Sequence, residues 1–595
     1  MKINLKWHDP THVQISVEEP NEYLWDDARG FFPNLQPNGN AAFLVPYYEL
    51  INLWSGFWGH FSNAGVEFFV EPKLVADVRE FIHNQEGVTR NFTADQLVAK
   101  LESTGFKRQL KDFQVENVCK LSRRNQGATF SVPGAGKTTE ALAFFYATAD
   151  ITDKLLVVAP LNAFGAWDEQ LADCMQDSSL SFVRLTGGVG NVQRLLREDH
   201  RFLLTNYEFL RSAQPNECIR RFLSEHRNVY VFLDESHKIK NDRTAQAEAI
   251  KTIQCLPKAK LIMSGTPMPQ SPRDLLTQYQ FLFPDRPISE MDVVDKFKDV
   301  YVRTTASRLG IPDIVTHKHS IEMDDIEREL YRKMRRISLD AAGQPSNDAR
   351  YLRQLGKSVM RLMAFVSNPA LVANHFAAVL PELPSYLRSK DSQKIAYVCR
   401  RVRELVRQGK KVLIWSCFVK NVELISRRLV DLGADFIHGG VKAGDPNDPT
   451  SREGKIRRFH DSGSRHMVLV ANPAAASEGI SLHKACQYAI YVDRSFNAAH
   501  FLQSQDRIHR LGLPENTVPE IELVTCTNTI DDLVEQRLRN KITVMGRALN
   551  DPSIIPTSPN ELYDEENEDG PDVDSTDSGI SQEDVAAILR HLRGI

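Results

Sequence analysis

The hydrophobic pattern changes character along the chain. Between residues 106 and 300, short and nearly all-apolar runs alternate with helical stretches: LLVVAP (155–160), RFLLTN (201–206), VYVFLD (229–234) and KLIMSG (260–265). Strands of a parallel sheet covered by helices on both faces read this way, because neither face meets water. Each run ends in a turn or polar residue, where α/β sheets place their ligand sites. A second set, KVLIWS (411–416), HMVLVAN (466–472) and YAIYVDR (488–494), repeats the arrangement after a gap. Two α/β lobes are predicted, over 106–300 and 391–550. Between them, 321–372 has apolar positions recurring at three and four, as in ERELYRKMRRISLDAA, and predicts a helical insertion and linker within 301–390.

The flanks differ from the lobes. Residues 1–105 are rich in aromatics: Trp7, Trp25, Trp54, Trp58 and the pairs Phe31-Phe32, Tyr47-Tyr48 and Phe68-Phe69. A small accessory domain that packs them as core is one reading; a face that stacks on exposed bases or docks a protein partner is the other. Residues 551–580 hold ten acidic residues, several Ser and Pro, and no Lys or Arg, so this stretch is expected to be disordered. Ser581 with Asp584 then makes a capping-box-like start for a short terminal helix expected to dock, on the chain or on a partner. The fold class is α/β: two parallel-sheet lobes with a helical insertion, a small N-terminal domain, and an acidic tail over 551–595.

At 595 residues the chain is too long for one core, and 42% apolar with 25% charged residues is ordinary globular composition. No apolar run is long enough to span a bilayer, and the charged, proline-containing start predicts no export signal. Eight widely spaced cysteines without a CxxC pair predict reduced thiols rather than a zinc cage or disulfide framework. The formal charge of −4 is unevenly spread: residues 551–595 carry twelve Asp and Glu against Arg590 and Arg593, a net of −10, which leaves +6 elsewhere. That balance suits a polyanion partner without proving one.

Two constellations carry chemistry. SVPGAGKTTEAL (131–142) follows a short apolar approach and opens a helix, as a phosphate loop does. After Pro133, backbone N–H groups around Gly134, Ala135 and Gly136 can converge on phosphate at the helix N-terminus. Lys137 can reach the β and γ phosphates, Thr138 can hold Mg²⁺, and Thr139 completes the turn. Ser131 stands where the strict pattern has glycine. The second constellation is LDESHKIKN (233–241), in which an apolar strand delivers adjacent carboxylates. Asp234 suits the contact to Mg²⁺, and Glu235 suits orienting and deprotonating an attacking water.

The full order of motifs resembles the SWI/SNF-type DNA translocase ATPases of helicase superfamily two, over about residues 106–545. LKDFQVENV (110–118) is similar to the family's adenine-reading segment with Gln114, and VVAPLNAFGAWDEQ (157–170) to its motif Ia. TNYEFL (205–210), DESHKIKN (234–241), SGTPMPQSPRDLL (264–276), SNPALV (367–372), VLIWSCFVKNVELI (412–425), SEGISLHKA (477–485) and QSQDRIHRLG (503–512) follow in order. The resemblance implies two RecA-like lobes, ATP with Mg²⁺, and double-stranded DNA as partner, in a monomer of the cytoplasm, nucleoid or, in a eukaryote, nucleus. It implies Arg507 and Arg510 as arginine fingers, Gln503 as a γ-phosphate or water-positioning residue, His237 as a link from Glu235 to that glutamine, and Gly479 beside the nucleotide. For nucleic acid it implies Asn162, Trp167, Thr205, Ser264, Gly265 and Thr266 on the first lobe, and Ser416, Lys420, Ser477 and Ser481 on the second.

The chain departs from the family at Glu478, in ANPAAASEGISL, where a glycine or valine is usual, and at Asp506 before the first finger. Neither change removes a catalytic group. The expected activity is ATP-dependent translocation on duplex DNA that remodels DNA or displaces bound protein. A strand-separating or annealing helicase acting on DNA or RNA is the alternative. A scaffold whose nucleotide site only switches conformation is the third reading, and the intact Lys137, Asp234, Glu235, Arg507 and Arg510 speak against it.

Overall fold

The computed structural model describes the chain apart from residues 1, 10, 19–25, 28–29, 33, 40, 87–89, 343–348, 374–380, 383, 386–390, 443, 477–480, 515–516, 555–581 and 594–595. The chain divides into two compact units, Met1–Met268 with Pro272–Thr304, and Pro269–Ser271 with Thr305–Ile595.

The first unit holds two sheets. The N-terminal one contains β1 (Lys2–Asp9), β2 (His12–Glu18), β3 (Gln36–Pro37), β4 (Ala42–Pro46) and β5 (Glu67–Val70), in the order β3-β4-β2-β1-β5. Its pairs are antiparallel except β1 with β5. Alternation along β1 and β2 buries Ile3, Leu5, Val13 and Ile15 on one face. Helix α1 (Tyr47–Asn63) adds Phe57 and Phe61, which pack with Phe32 and Phe43 as core. Trp54, Trp58 and Phe68 form a stack that reaches the surface, with Trp58 37% exposed. The sheet is tied to its neighbour by the Asp77–Arg227 pair at 3.3 Å, the Arg227 guanidinium lying over the Tyr47 ring.

The second sheet of this unit is parallel throughout: β6 (Gln126–Thr129), β7 (Lys154–Val158), β8 (Val183–Arg184), β9 (Phe202–Thr205), β10 (Val229–Asp234), β11 (Ala259–Met263) and β12 (Tyr301–Val302), in the order β12-β6-β11-β10-β7-β9-β8. Strands β7, β9 and β11, mostly apolar, are buried along their whole length, and so is β6, QGAT. Helices α2 (Asp112–Leu121), α3 (Lys137–Thr148) and α4 (Phe164–Cys174) flank the site described below.

The second unit carries a six-stranded parallel sheet: β13 (Val315–Ile321), β14 (Val412–Trp415), β15 (Asp435–Ile437), β16 (Val468–Ala471), β17 (Tyr488–Tyr491) and β18 (Glu520–Cys526), in the order β13-β18-β17-β14-β16-β15. Helices α5 (Asp325–Ala342) and α6 (Ala349–Ser367) occupy the stretch predicted helical; α7 (Ala498–Gln505) and α8 (Ile530–Ala548) follow. The terminal helix α9 (Gln582–Arg593) buries Ile588 and Leu592 in the core shared by α5 and α8. The acidic stretch expected to be disordered lies, over 555–581, outside the described residues. Among the described residues no helix is long and apolar enough to cross a membrane, and all eight cysteines are free thiols.

Candidate active site

Strand β6 runs buried into Phe130 and Ser131, and the chain then turns tightly into α3, which begins at Lys137. Gly134 and Gly136 have φ of 87° and 88°, a region that glycine, with no Cβ, enters at little cost. A Cβ on Gly136 would also lie 2.4 Å from the Gln114 amide nitrogen. Gln114, buried on α2, donates from Nε2 to the Ala135 carbonyl at 3.0 Å, so the segment read as adenine-binding holds the phosphate loop itself. Lys137 Nζ donates to the Ser131 carbonyl at 2.9 Å, and Thr138 is half-buried on the first helical turn.

Strand β10 delivers Asp234 beside Met263 of β11, which brings the two strand ends together. One Asp234 oxygen accepts the Trp167 indole N–H at 3.0 Å, and the other accepts the Glu235 backbone N–H at 3.0 Å. Burial, then the neighbouring Glu235 charge, raises the Asp234 carboxyl above its ordinary range, while Trp167 and Lys137 oppose the rise. Glu235 adopts φ 51°, a left-handed conformation costing a non-glycine residue on the order of 1–3 kcal/mol, of the kind that gathers at functional sites. Its carboxylate meets His237 Nδ1 at 3.3 Å, and Ser264 Oγ lies 3.4 Å from the same oxygen and 3.0 Å from that ring nitrogen. The turn after β11 closes on the phosphate loop, since a Cβ on Gly265 would lie 3.1 Å from Pro133 and 3.7 Å from Lys137 Nζ. Lys137, Asp234, Glu235, His237, Ser264 and Gly265 therefore share one end of one sheet.

The oxygen donors here fit a small hard cation: a hydroxyl on a helix's first turn and a buried carboxylate whose proton affinity is raised by an acidic neighbour. Among the described residues no cluster of three His, Cys, Asp or Glu side chains could hold a metal by itself. A cation at this position thus needs ligands from water and phosphate, which is how Mg²⁺ is usually held.

In the second unit, Gln503 is buried on α7, and Arg507 lies in the turns just past its last residue, with Nε donating to the Gln503 carbonyl at 2.9 Å. The Arg507 carbonyl accepts the Leu482 N–H at 2.9 Å, which ties this turn to the SEGISLHKA segment. Arg510 stands nearby, and burial, then the Arg510 charge, lowers the pKa of His483. Gly479 and Ser477 lie outside the described residues.

Five side chains assigned to nucleic acid by resemblance are enclosed instead. Trp167 is fully buried and spends its N–H on Asp234. Thr205 and Thr266 are turned into their lobe, and Ser264 faces Glu235 and His237. Ser416, fully buried, donates to Asp493 Oδ2 at 2.7 Å. Strand ends point such short side chains inward, so these residues shape the surface without forming it. Asn162, Gly265 and Ser481 are half-buried and Lys420 is exposed. Asp493 was missed: it also accepts the Cys417 N–H at 2.6 Å and a hydrogen bond from the Ser367 hydroxyl, and Asn421 links Ser367 to Asn368. Its signal was the acid just before the last residue of YAIYVDR, beside the serine that ends KVLIWS.

Two parallel-sheet lobes, one bearing a phosphate loop beside an Asp-Glu strand end, define a helicase-like ATPase. Residues 113–303 match the SNF2-related domain and residues 393–512 the helicase conserved C-terminal domain, together just over half of the chain. The chain belongs to the SNF2-type helicase-like ATPases. It is 24% identical to "SWI/SNF-related matrix-associated actin-dependent regulator of chromatin subfamily A-like protein 1" of Drosophila melanogaster, over 74% of this chain and 56% of that one. It is 22% identical to the "Probable chromatin-remodeling complex ATPase chain" of Oryza sativa, over 74% and 41%. With "Chromodomain-helicase-DNA-binding protein 8" of Danio rerio the identity is also 22%, over 69% and 18%. The chain thus spans from under a fifth to just over half of these relatives' lengths. A solved structure, "Sulfolobus solfataricus SWI2/SNF2 ATPase core in complex with dsDNA", aligns at 18% identity over 76% of this chain and 95% of that one, with a TM-score of 0.33.

Proposed function

We propose that this chain is an ATP-driven translocase on double-stranded DNA that remodels DNA or displaces proteins bound to it. The observation that carries the reading is the convergence of Lys137, Asp234 and Glu235 at one sheet end, with His237 and Ser264 set around the glutamate. Lys137 neutralises the β and γ phosphates, and Gln114 holds the loop in shape while reading the adenine. Thr138 and Asp234 hold Mg²⁺, which when bound supplies positive charge to the phosphate oxygens. Glu235 orients the attacking water and takes its proton, its own position set by His237 and Ser264. Arg507, bonded to the Gln503 carbonyl, and Arg510 are the arginines that would stabilise charge developing on the transferred phosphate. Such fingers typically contribute about 10³–10⁵ in rate.

Asn162, Gly265, Lys420 and Ser481 are the candidate contacts to duplex DNA, mainly to its phosphates, so affinity is expected to be indifferent to sequence and to fall with salt. The expected location is the cytoplasm or nucleoid, or the nucleus in a eukaryote, and residues 1–105 or the C-terminal helix are the candidate docking sites for a protein partner.

The test is the ATPase rate of the full chain with duplex DNA, single-stranded DNA and RNA, paired with a strand-separation assay. Duplex is expected to stimulate most, without separation of strands. Equal stimulation by single strands, or release of a labelled strand, would favour the unwinding reading instead.

A further inference from the structure

Resting on the nucleotide reading of the phosphate loop, we infer that Thr304, Asn117 and Glu140 are positioning residues that pass the state of that loop to the segment leading into the second unit. The chain leaves the first unit at Thr304. The exit runs parallel to the approach to the phosphate loop, and the two are bonded residue by residue beyond the strands: the Phe130 N–H donates to the Val302 carbonyl at 2.9 Å, and the Val132 N–H to the Thr304 carbonyl at 3.0 Å. The Thr304 N–H donates to Ser131 Oγ at 3.0 Å. Ser131 occupies the position where the strict motif has glycine, and glycine there would leave this buried N–H without its acceptor. The departure from the motif is thus the atom that joins loop to exit.

A side-chain relay reinforces the junction. Thr304 is fully buried, and its Oγ1 accepts Asn117 Nδ2 at 2.9 Å. The same amide donates to Glu140 Oε1 at 2.8 Å, and Glu140 Oε2 accepts Thr129 Oγ1 at 2.9 Å. Asn117 sits three residues after Gln114, on the same face of α2. That single face therefore grips the loop at Ala135 and the exit at Thr304. Glu140 lies one turn into α3 from Lys137, so the helix that would bear the phosphates is held in the same relay. Buried polar networks of this kind add little net stability over apolar packing, but they fix relative placement, because each misaligned bond leaves an unsatisfied group. A shift of residues 131–137 on taking up phosphate must move 302–304 with them or break these bonds.

The test uses the full chain and a non-hydrolysable ATP analogue with Mg²⁺, following amide exchange over 302–312 in the wild type, Thr304→Val, Thr304→Ser and Ser131→Ala. In the wild type the analogue slows exchange there by about tenfold, equivalent to about 1.4 kcal/mol. Thr304→Val binds the analogue within about twofold of wild type, well under the tenfold that 1.4 kcal/mol represents, yet loses that protection. Thr304→Ser, which keeps the hydroxyl, retains it, and Ser131→Ala loses it by deleting the other acceptor. Protection that persists in both Thr304→Val and Ser131→Ala, or a serine variant that behaves like valine, overturns the relay while leaving the nucleotide reading intact. A wild-type chain that binds no analogue overturns both.

Discussion

Single side chains decide how the first lobe's site works, and Trp167 is the sharpest case. Its indole N–H is spent on a buried carboxylate, a bond to a charged group worth about 1.5–3 kcal/mol. Trp167→Phe is therefore expected to lower kcat by roughly ten- to a hundredfold while duplex affinity and its salt slope stay put. A loss of DNA affinity with kcat unchanged would return the tryptophan to the DNA surface. Glu235→Gln keeps shape and nucleotide binding but removes the proton acceptor, and should cost on the order of 10²–10⁴ in kcat; turnover near wild type would refute Glu235 as the base. Lys137, Asp234 and Glu235 were legible in the sequence because their spacing within short motifs fixes what they can do. The burial of Trp167 and Ser416, the left-handed backbone of Glu235, and the role of Asp493 were not, since each depends on partners brought in by other strands.

At the scale of elements, the terminal helix α9 was legible as a helix, but its seat was not. Asp584, fully buried, pairs with Arg537 and with Lys541 at 2.6 Å each, both on α8. Removing one partner of a buried pair strands the others, so Asp584→Ala is expected to destabilise the second unit by about 3–5 kcal/mol in denaturant unfolding. A change within about 0.5 kcal/mol, the range of ordinary surface substitutions, would mean the helix is not seated there.

The same helix carries a pH response. His591 Nε2 lies 2.8 Å from the Tyr331 hydroxyl, which itself accepts the Ile530 N–H at 2.9 Å. Burial, then Arg335, pushes the His591 pKa down to about 4. The unfolded imidazole binds its proton first, so this contribution is complete above pH about 6.5 and is lost as pH falls towards 4. His591→Phe should flatten that part of the stability profile; an unchanged profile would place its source elsewhere. Strands β12 and β13 escaped the sequence pattern for a common reason. One is two residues long, and the other, VTHKHSI, is an edge strand exposed along most of its length, so neither leaves an apolar run.

Over the whole molecule, the two α/β lobes were legible from the apolar runs of four strands of one parallel sheet and three of the other, while buried β6 and β18, with polar residues along them, left no such run; the N-terminal sheet, with alternating burial and few motifs, was legible only as an aromatic-rich domain. The charge outside the acidic tail, +6, is modest. Duplex binding through phosphates should still weaken steeply with salt, with a log–log slope of about −0.9 per phosphate contacted; a flat response would exclude a phosphate-led groove. The central proposal is that Lys137 and Arg507 are both required for the hydrolysis of ATP. The most direct test is steady-state hydrolysis by the full chain with saturating duplex, wild type against Arg507→Ala, with nucleotide affinity measured in parallel. Duplex-stimulated turnover is expected to fall by about 10³ or more in the variant while nucleotide still binds. No turnover by the wild type on duplex, or an Arg507→Ala variant as fast as wild type, would contradict it.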